Sequence, residues 1–531
     1  MKKILIIVLM LLFSFTAMSC NSMREYKIED PLLLANQPDD LYRVYYEIFV
    51  GSFSDSNDDG IGDIRGMINR FDYLNDGDSN SGKSLGIEGL WLMPIMPSPS
   101  YHKYDVTNYK EIDSKYGTLE EFEEFLDLAE ERNVYVIIDL VLNHTSNQHP
   151  WFKAAKQAME ASDLDSKYLD YYVLVTKEEK EPGKIYYPFT GEYYYEGNFS
   201  SSMPELNLDS VDVRAEIVDI VSFWYDLGVD GFRLDAAKYP YLNEDDKNID
   251  FWNWFVTECK NINPDTYIIG EVWSGDSLIA PYYESFSNFD FGMSQLQGAV
   301  SLVAQGLDDV NWYVSYLNNY RNLVENYNPE AILTPFISNH DMNRSAGYLS
   351  LDDYEMQMAA NLYILTYGNP FIYYGEEIGM KGSRTTEMTD ANKRLAMLWG
   401  DKDTVEDPIG TTYNEENQTN GTVKSQLKDS ESLLNHYKKL IMIRKSNPEI
   451  ARGTYTPIIF NGYYSFGGFL STYENSTVGV FHNLSDEELV IDLSNYTNHE
   501  FETIRAYVGV NSASLSGQTL TIGAYTSVIL K

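Results

Sequence analysis

Along the chain, seven short apolar runs each end abruptly in polar residues, at 42–49, 89–93, 134–140, 231–235, 267–271, 332–338 and 370–374. They are rich in Val, Ile, Tyr and Phe and are bounded by turn residues, which predicts β-strands. Between them the apolar positions take up helical spacing. Over 118–132, Leu119, Phe122, Phe125, Leu126 and Ala129 recur on one face, with acidic residues in the first turn. Val211–Leu227 has the same character and stops at Gly228, a residue suited to ending a helix. Strand–helix alternation over about 400 residues predicts an α/β fold with a parallel sheet closed into a (β/α)8 TIM barrel. Two stretches break the alternation. Residues 144–205, rich in Tyr, Gly and Pro, read as an irregular insertion after the third strand, beside the barrel mouth. Short alternating runs at 455–460, 478–481, 489–493, 520–522 and 527–530 predict a C-terminal antiparallel β-sandwich over 452–531. The barrel then spans 41–143 and 206–451.

The N-terminus changes this picture only at its edge. Lys2 and Lys3 precede an uncharged apolar run at 4–15 that closes with Ala17-Met18-Ser19-Cys20. A basic start and a run this short read as an export signal and not a membrane span. The closing residues resemble a bacterial lipoprotein processing site, in which a small residue precedes a Cys that becomes lipidated. The expectation is a signal peptide at 1–20, lipidation of Cys20, a polar linker at 21–40, and a place in the cell envelope held only by lipid, with simple secretion as the alternative. Cys259 is the one other cysteine, so a lipidated chain has no internal disulfide. With 80 acidic residues against 39 Lys and Arg, the net charge is −41. Phosphate backbones are repelled by such a surface, which argues against nucleic acid as a partner; a neutral sugar polymer is not repelled. The 43 Tyr suit sugar, since the ring covers apolar sugar faces and the hydroxyl hydrogen-bonds. The chain is expected to act as a monomer.

In a parallel barrel, function gathers at the C-terminal ends of the strands. Read in order, those ends carry Asp139-Leu140-Val141-Leu142-Asn143-His144, then Gly231-Phe232-Arg233-Leu234-Asp235, Gly270-Glu271-Val272-Trp273, and Phe336-Ile337-Ser338-Asn339-His340-Asp341. A lone Asp at a strand end is more often a cap or an ion-pair partner than a catalyst. Three carboxylates with an Arg and two His on one rim are expensive unless paired or used. These four clusters resemble, in order and spacing, the signature regions of the α-amylase family of (β/α)8 glycoside hydrolases. Met203-Pro204-Glu205-Leu206-Asn207 and the segment from Gly368-Asn369-Pro370 to Gly375-Glu376 add to the match. The resemblance implies Asp235 as nucleophile, Glu271 as general acid and base, and Asp341 as the group that binds the sugar's 2- and 3-hydroxyls. It implies net retention through a covalent glycosyl-enzyme. Arg233, two residues before Asp235 and so on its strand face, suits pairing with the nucleophile. His144 and His340 are implied as donors to the same ring, Tyr104 as its stacking platform and His102 as a further hydrogen-bonding partner.

Asp55-Ser56-Asn57-Asp58-Asp59-Gly60-Ile61-Gly62-Asp63 sets hard oxygen donors at alternate positions with glycines for a tight turn, an arrangement suited to calcium. Gly66 stands where an EF-hand needs its bidentate Glu, so that motif is rejected. The family resemblance implies a structural Ca2+ held by Asp55, Asn57, Asp59, the Ile61 carbonyl and Asp63. Asn143 aligns with a ligand of a second calcium whose other ligands stay open. Zinc is disfavoured, because the seven His form no His-Glu-x-x-His. The Met-Pro-Glu-Leu-Asn segment is similar to forms intermediate between exo-acting oligosaccharidases and debranching or cyclodextrin-cleaving members. Lys238 resembles a glucan contact on the leaving-group side and tilts the reading to an endo-acting α-amylase on starch-like α-glucans. An exo-acting α-glucosidase, an oligo-1,6-glucosidase or a transglycosylase uses the same residues. A non-catalytic glucan-binding relative is the remaining reading, against which stands the presence of all three carboxylates.

Overall fold

The computed structural model describes residues 34–36, 38–383, 390–413 and 420–531. Cys20 lies outside them. The barrel strands are β1 (Tyr45–Ile48), β2 (Gly89–Leu92), β3 (Tyr135–Leu140), β4 (Gly231–Leu234), β5 (Tyr267–Gly270), β6 (Ser287–Asn288) and β7 (Phe371–Tyr373). They form a parallel sheet ordered β7-β1-β2-β3-β4-β5-β6. Single parallel bridges, Phe289 to Thr334 and Phe336 to Phe371, carry the pairing from the end of β6 through 334–336 back to β7, so the ring returns on itself. The expected run at 332–338 thus supplies a barrel stave through two bridges and not a continuous strand. β6 is a two-residue strand with no apolar run to announce it.

Helices pack outside the ring for local reasons. Thr118 and Glu121 form a capping box ahead of Leu119–Glu131, whose Phe122, Phe125, Leu126 and Ala129 are buried. Ser210 caps Val211–Leu227, and Gly228 ends it at φ 105°, in the left-handed region. The insertion is more ordered than expected: it carries a helix, Pro150–Glu160, and a three-stranded antiparallel sheet of Leu174–Val175, Tyr186–Pro188 and Tyr194–Glu196. His144 and Glu205 pair by an antiparallel bridge where it leaves and rejoins the barrel.

The C-terminal region has a five-stranded sheet, in spatial order Thr454–Ile458, Phe466–Tyr473, Ser476–Asn483, Thr526–Leu530 and Ile504–Gly509, and a three-stranded one of Leu489–Asp492, Thr519–Ile522 and Ala513–Ser516. One face of the larger sheet, including Phe469, Val480 and Ile529, joins the barrel's hydrophobic core. Its other face, with Phe466, Phe481 and Val528, closes a second core against Ile491 and Leu520 of the smaller sheet. Gly467 is needed at the first contact, because a Cβ there would meet Val310 at 2.7 Å. Among the described residues no helix is long and apolar enough to cross a membrane.

Candidate active site

Parallel register builds the site. Asp139 of β3 lies opposite Arg233 of β4, and Arg233 lies opposite Ile269 of β5, so Asp235 and Glu271 each follow two residues on, on the same face. Arg233 is fully buried among them. Its Nη1 donates to Asp139 Oδ1 and Oδ2 at 2.8 and 3.0 Å and to Asp235 Oδ1 at 2.9 Å. Its Nη2 lies 3.0 Å from Glu271 Oε2. One guanidinium therefore holds three carboxyl groups. After Asp235 the chain turns through Ala236 at φ 49°, which aims the Ala236 N–H at Glu271 Oε2, 3.0 Å away.

The three acidic groups differ in protonation. Burial pushes the Glu271 carboxyl up to about 7, against Arg233 and with help from the charges of Asp235 and Asp341. Burial likewise lifts Asp139 to about 6, with Arg233 opposing. Asp341 goes the other way. Burial works against its charge, yet His340 and Arg394 hold it well below the usual carboxylate range. His340 Nε2 lies 3.0 Å from Asp341 Oδ2, and Arg394 Nη2 donates to Asp341 Oδ1 at 2.8 Å. A proton-holding acid thus faces carboxylates that are paired with cations, the division of labour that two-carboxylate chemistry needs.

Asp235, Glu271 and Asp341 line a cleft of about 410 Å3 with Tyr104, His102, His144, Lys238 and Arg394, while Asp139, Arg233 and His340 lie buried behind them. Tyr104 stacks on His340, with ring centroids 5.6 Å apart. The His144 Nε2 faces the Tyr104 carbonyl at 3.2 Å, and His102 Nδ1 accepts the Tyr104 N–H at 3.1 Å. Burial lowers both imidazoles, His102 to about 4 with Arg394 contributing, which favours the neutral rings. Lys238 Nζ donates to the Trp273 carbonyl at 2.6 Å, on the far side of Glu271. There Phe199 from the insertion, 46% exposed, meets Tyr239 with centroids 4.9 Å apart, and Trp273 stacks on Phe291.

The profile of the alpha amylase catalytic domain matches residues 47–453, and that of the alpha-amylase SusG C-terminal domain matches 467–529. The chain belongs to the α-amylase family. Alpha-amylase 3 of Dictyoglomus thermophilum is 37% identical over 93% of this chain and 94% of its own length. A 4-alpha-glucanotransferase of Thermotoga maritima is 30% identical over 84% of this chain and 97% of its own. Among solved structures, Eubacterium rectale Amy13B superposes with a TM-score of 0.85 at 38% identity, covering 94% of this chain and 96% of its own. The chain is therefore an α-amylase-family glycoside hydrolase acting on O-glycosyl bonds.

As an α-amylase-family barrel, it brings together all nine residues named above for catalysis and sugar binding. Two further contributors went unnoticed in the sequence. Glu47 was legible as the one acid inside the apolar run of β1. Arg394 carries no local signal, since it lies in a loop and reaches Asp341 only through the fold. The loop at 55–63 is also assembled. Asp55 accepts the N–H groups of Asn57, Asp58 and Gly60 and the Thr404 hydroxyl; Asn57 accepts from Asp59, Asp59 from Ile61, and Asp63 from Ser56 and Gly66. Among the described residues no three His, Cys, Asp or Glu side chains gather as a metal site.

Proposed function

We propose that the protein is a retaining, endo-acting α-amylase that hydrolyses α-1,4-glucosidic bonds in starch, glycogen or maltooligosaccharides. One observation carries the reading: Asp235 and Glu271 share the Arg233 guanidinium, but burial keeps the Glu271 proton to about pH 7. A shared guanidinium is compatible with the carboxyl separation of about 5 Å that retention requires. Asp235 attacks the anomeric carbon as the glycosidic C–O bond breaks, and Glu271 gives its proton to the leaving oxygen. Glu271, now a carboxylate, takes a proton from water; the water oxygen attacks the same carbon and Asp235 leaves. Asp341, ionised and clamped, accepts hydrogen bonds from sugar hydroxyls and stabilises the positive charge that develops at the anomeric carbon. Transfer to a sugar in place of water is the second reading, supported by the aromatic wall of exposed Phe199 and Trp273 and half-buried Tyr239 along the cleft, on which an acceptor sugar can stack.

Product analysis over time on soluble starch, maltooligosaccharides, pullulan and a short isomaltooligosaccharide separates these readings. Early fragments of mixed length are expected; glucose alone means exo-action, and products longer than the substrate mean transfer. Asp235→Asn and Glu271→Gln should each lower turnover by roughly 10^3-fold or more with the fold intact. Near-normal hydrolysis by either purified variant rules the mechanism out.

Two features outside the cleft complete the reading. Family members commonly bind calcium, and the donors of the 55–63 loop are hard oxygens: the Asn57 and Asp59 side chains each accept one backbone N–H and keep lone pairs, whereas the Asp55 carboxylate takes three N–H groups and the Thr404 hydroxyl, some of which a cation would displace. That chemistry fits a structural Ca2+ on Asp55, Asn57, Asp59, the Ile61 carbonyl and Asp63. The 1–20 pattern supports export and anchoring to the envelope through a lipid on Cys20. Cys20→Ala should move the protein from the membrane fraction to the soluble one; unchanged fractionation ends the anchor proposal.

A further inference from the structure

We propose that Glu47 is a positioning residue that holds His340 as a doubly protonated imidazolium and thereby fixes Asp341 in the site. This rests on the hydrolase reading and adds to it a residue that never touches sugar. Glu47 is 1% exposed, in the middle of β1. Its Oε1 lies 2.5 Å from His340 Nδ1 and accepts the His340 backbone N–H at 3.4 Å. The other ring nitrogen, Nε2, lies 2.7 Å from the Tyr104 hydroxyl and 3.0 Å from Asp341 Oδ2. The Tyr104 hydroxyl spends its only proton on Asp139 Oδ2, 3.1 Å away, so towards His340 it can only accept. Both ring nitrogens therefore face acceptors, and only the imidazolium satisfies both.

The charged and titratable groups around the ring point the same way. Glu47 faces it from β1, Asp341 from its own segment and Tyr104 from the loop after β2, with Asp139 of β3 behind the tyrosine. The cations are Arg394, whose Nε lies 3.3 Å from the His340 carbonyl, and Arg233 beyond Asp139. The edge of Trp91 supplies an apolar wall, with ring centroids 5.5 Å apart. Burial disfavours the charged ring, but Asp341 and Glu47 prevail and push it up to about 9. Were the ring neutral with its proton on the Glu47 side, the Nε2 lone pair would face Asp341, and the clamp would become a repulsion. An unbroken alternation of charge and hydrogen bond thus runs from Glu47 through His340, Tyr104, Asp139 and Arg233 to Asp235.

Glu47→Gln keeps the size and an acceptor for Nδ1–H but removes the charge. In the parent enzyme, loss of the Glu271 proton alone governs the alkaline limb of kcat/KM on maltooligosaccharides, a fall of about tenfold per pH unit. In the Gln variant His340 should lose its proton in the same range, so the limb steepens towards about a hundredfold per unit. The variant-to-parent ratio at pH 8.5 should be about tenfold lower than at pH 5.5. In 15N-histidine-labelled protein the His340 resonance, assigned by its loss in His340→Asn, should titrate about one and a half pH units or more lower. An unchanged limb and titration overturn the proposal, as does an equal loss at every pH. Asp235→Asn is the control. If it hydrolyses normally the hydrolase reading fails; if it is dead while Glu47→Gln keeps the parent profile, only the Glu47 assignment fails.

Discussion

Arg233 shows how much one side chain can decide. It is fully buried and paired with Asp139, Asp235 and Glu271 together, so removing it leaves three acid groups facing one another without a cation. A lysine restores the charge as a single point that cannot span Nη1 and Nη2. Arg233→Lys is therefore expected to lower turnover by about 100-fold or more, and Arg233→Met to lose in addition about 3–5 kcal/mol of stability. Steady-state kinetics and denaturant unfolding measure the two; a lysine variant within threefold of the parent would disprove the shared-guanidinium argument. Asp235, Glu271 and Asp341, the acids proposed for catalysis, and Arg233 were legible because they stand in or just after apolar runs, where an ionised group needs a reason. Glu47 and Arg394 were not read because their roles exist only across the barrel, Glu47 through an imidazole 293 residues away and Arg394 from a loop.

At the scale of elements, periodicity worked where one face of an element packs and the other is wet. Leu119–Glu131 and Val211–Leu227 satisfy that condition and carry clear caps, and they were read closely. β6 failed it, since two residues, Ser287 and Asn288, carry no pattern. Phe466–Tyr473 was missed because Gly467 and Gly468 interrupt its apolar alternation, and those glycines answer to helix and strand neighbours distant in sequence. The 55–63 loop is the element with the sharpest prediction. It carries Asp55, Asp58, Asp59 and Asp63 within nine residues, Asp55 and Asp58 share the Thr404 hydroxyl, and across it lie Asp403 and Glu406, with Arg70 bonded to Asp403 at 2.8 Å. A cation that neutralises this acidity in the folded state alone stabilises it by mass action, about 2.7 kcal/mol at a hundredfold excess over Kd. Chelation should then lower the melting temperature by about 2–3 °C, with kcat at 25 °C little changed. A melting curve that chelator does not move removes the calcium.

The molecule as a whole is strongly acidic, and its pH response follows from what it buries and not from its net charge. Because one face of the C-terminal sheet belongs to the barrel core, the two regions should melt together and report one pH profile. Two opposed sets of groups act at mildly acid pH. Burial raises the carboxyls of Glu205, Glu271 and Glu376 to about 7 and of Asp139 and Asp230 to about 6. For these the folded state binds more protons than the unfolded one, so stability is lost as pH rises from the usual carboxylate range through 6 to 7. Burial lowers the imidazoles of His102 and His436 to about 4 and of His149 and His482 to about 3, and these gain stability over nearly the same interval, as the unfolded chain gives up its histidine protons. The two sets offset each other up to about pH 6.5. Above it the histidine gain is complete while the carboxyl loss continues. His340, raised to about 9 by Asp341 and Glu47 against burial, adds a loss of its own as its folded-state proton leaves. The melting temperature should therefore change little between pH 5 and 6.5 and fall from about pH 6.5 to 8, as calorimetry at constant ionic strength would measure. A melting temperature that climbs across that upper interval would mean these carboxyls are ionised inside the folded protein, and with them the Glu271 proton on which the proposed chemistry depends would be gone.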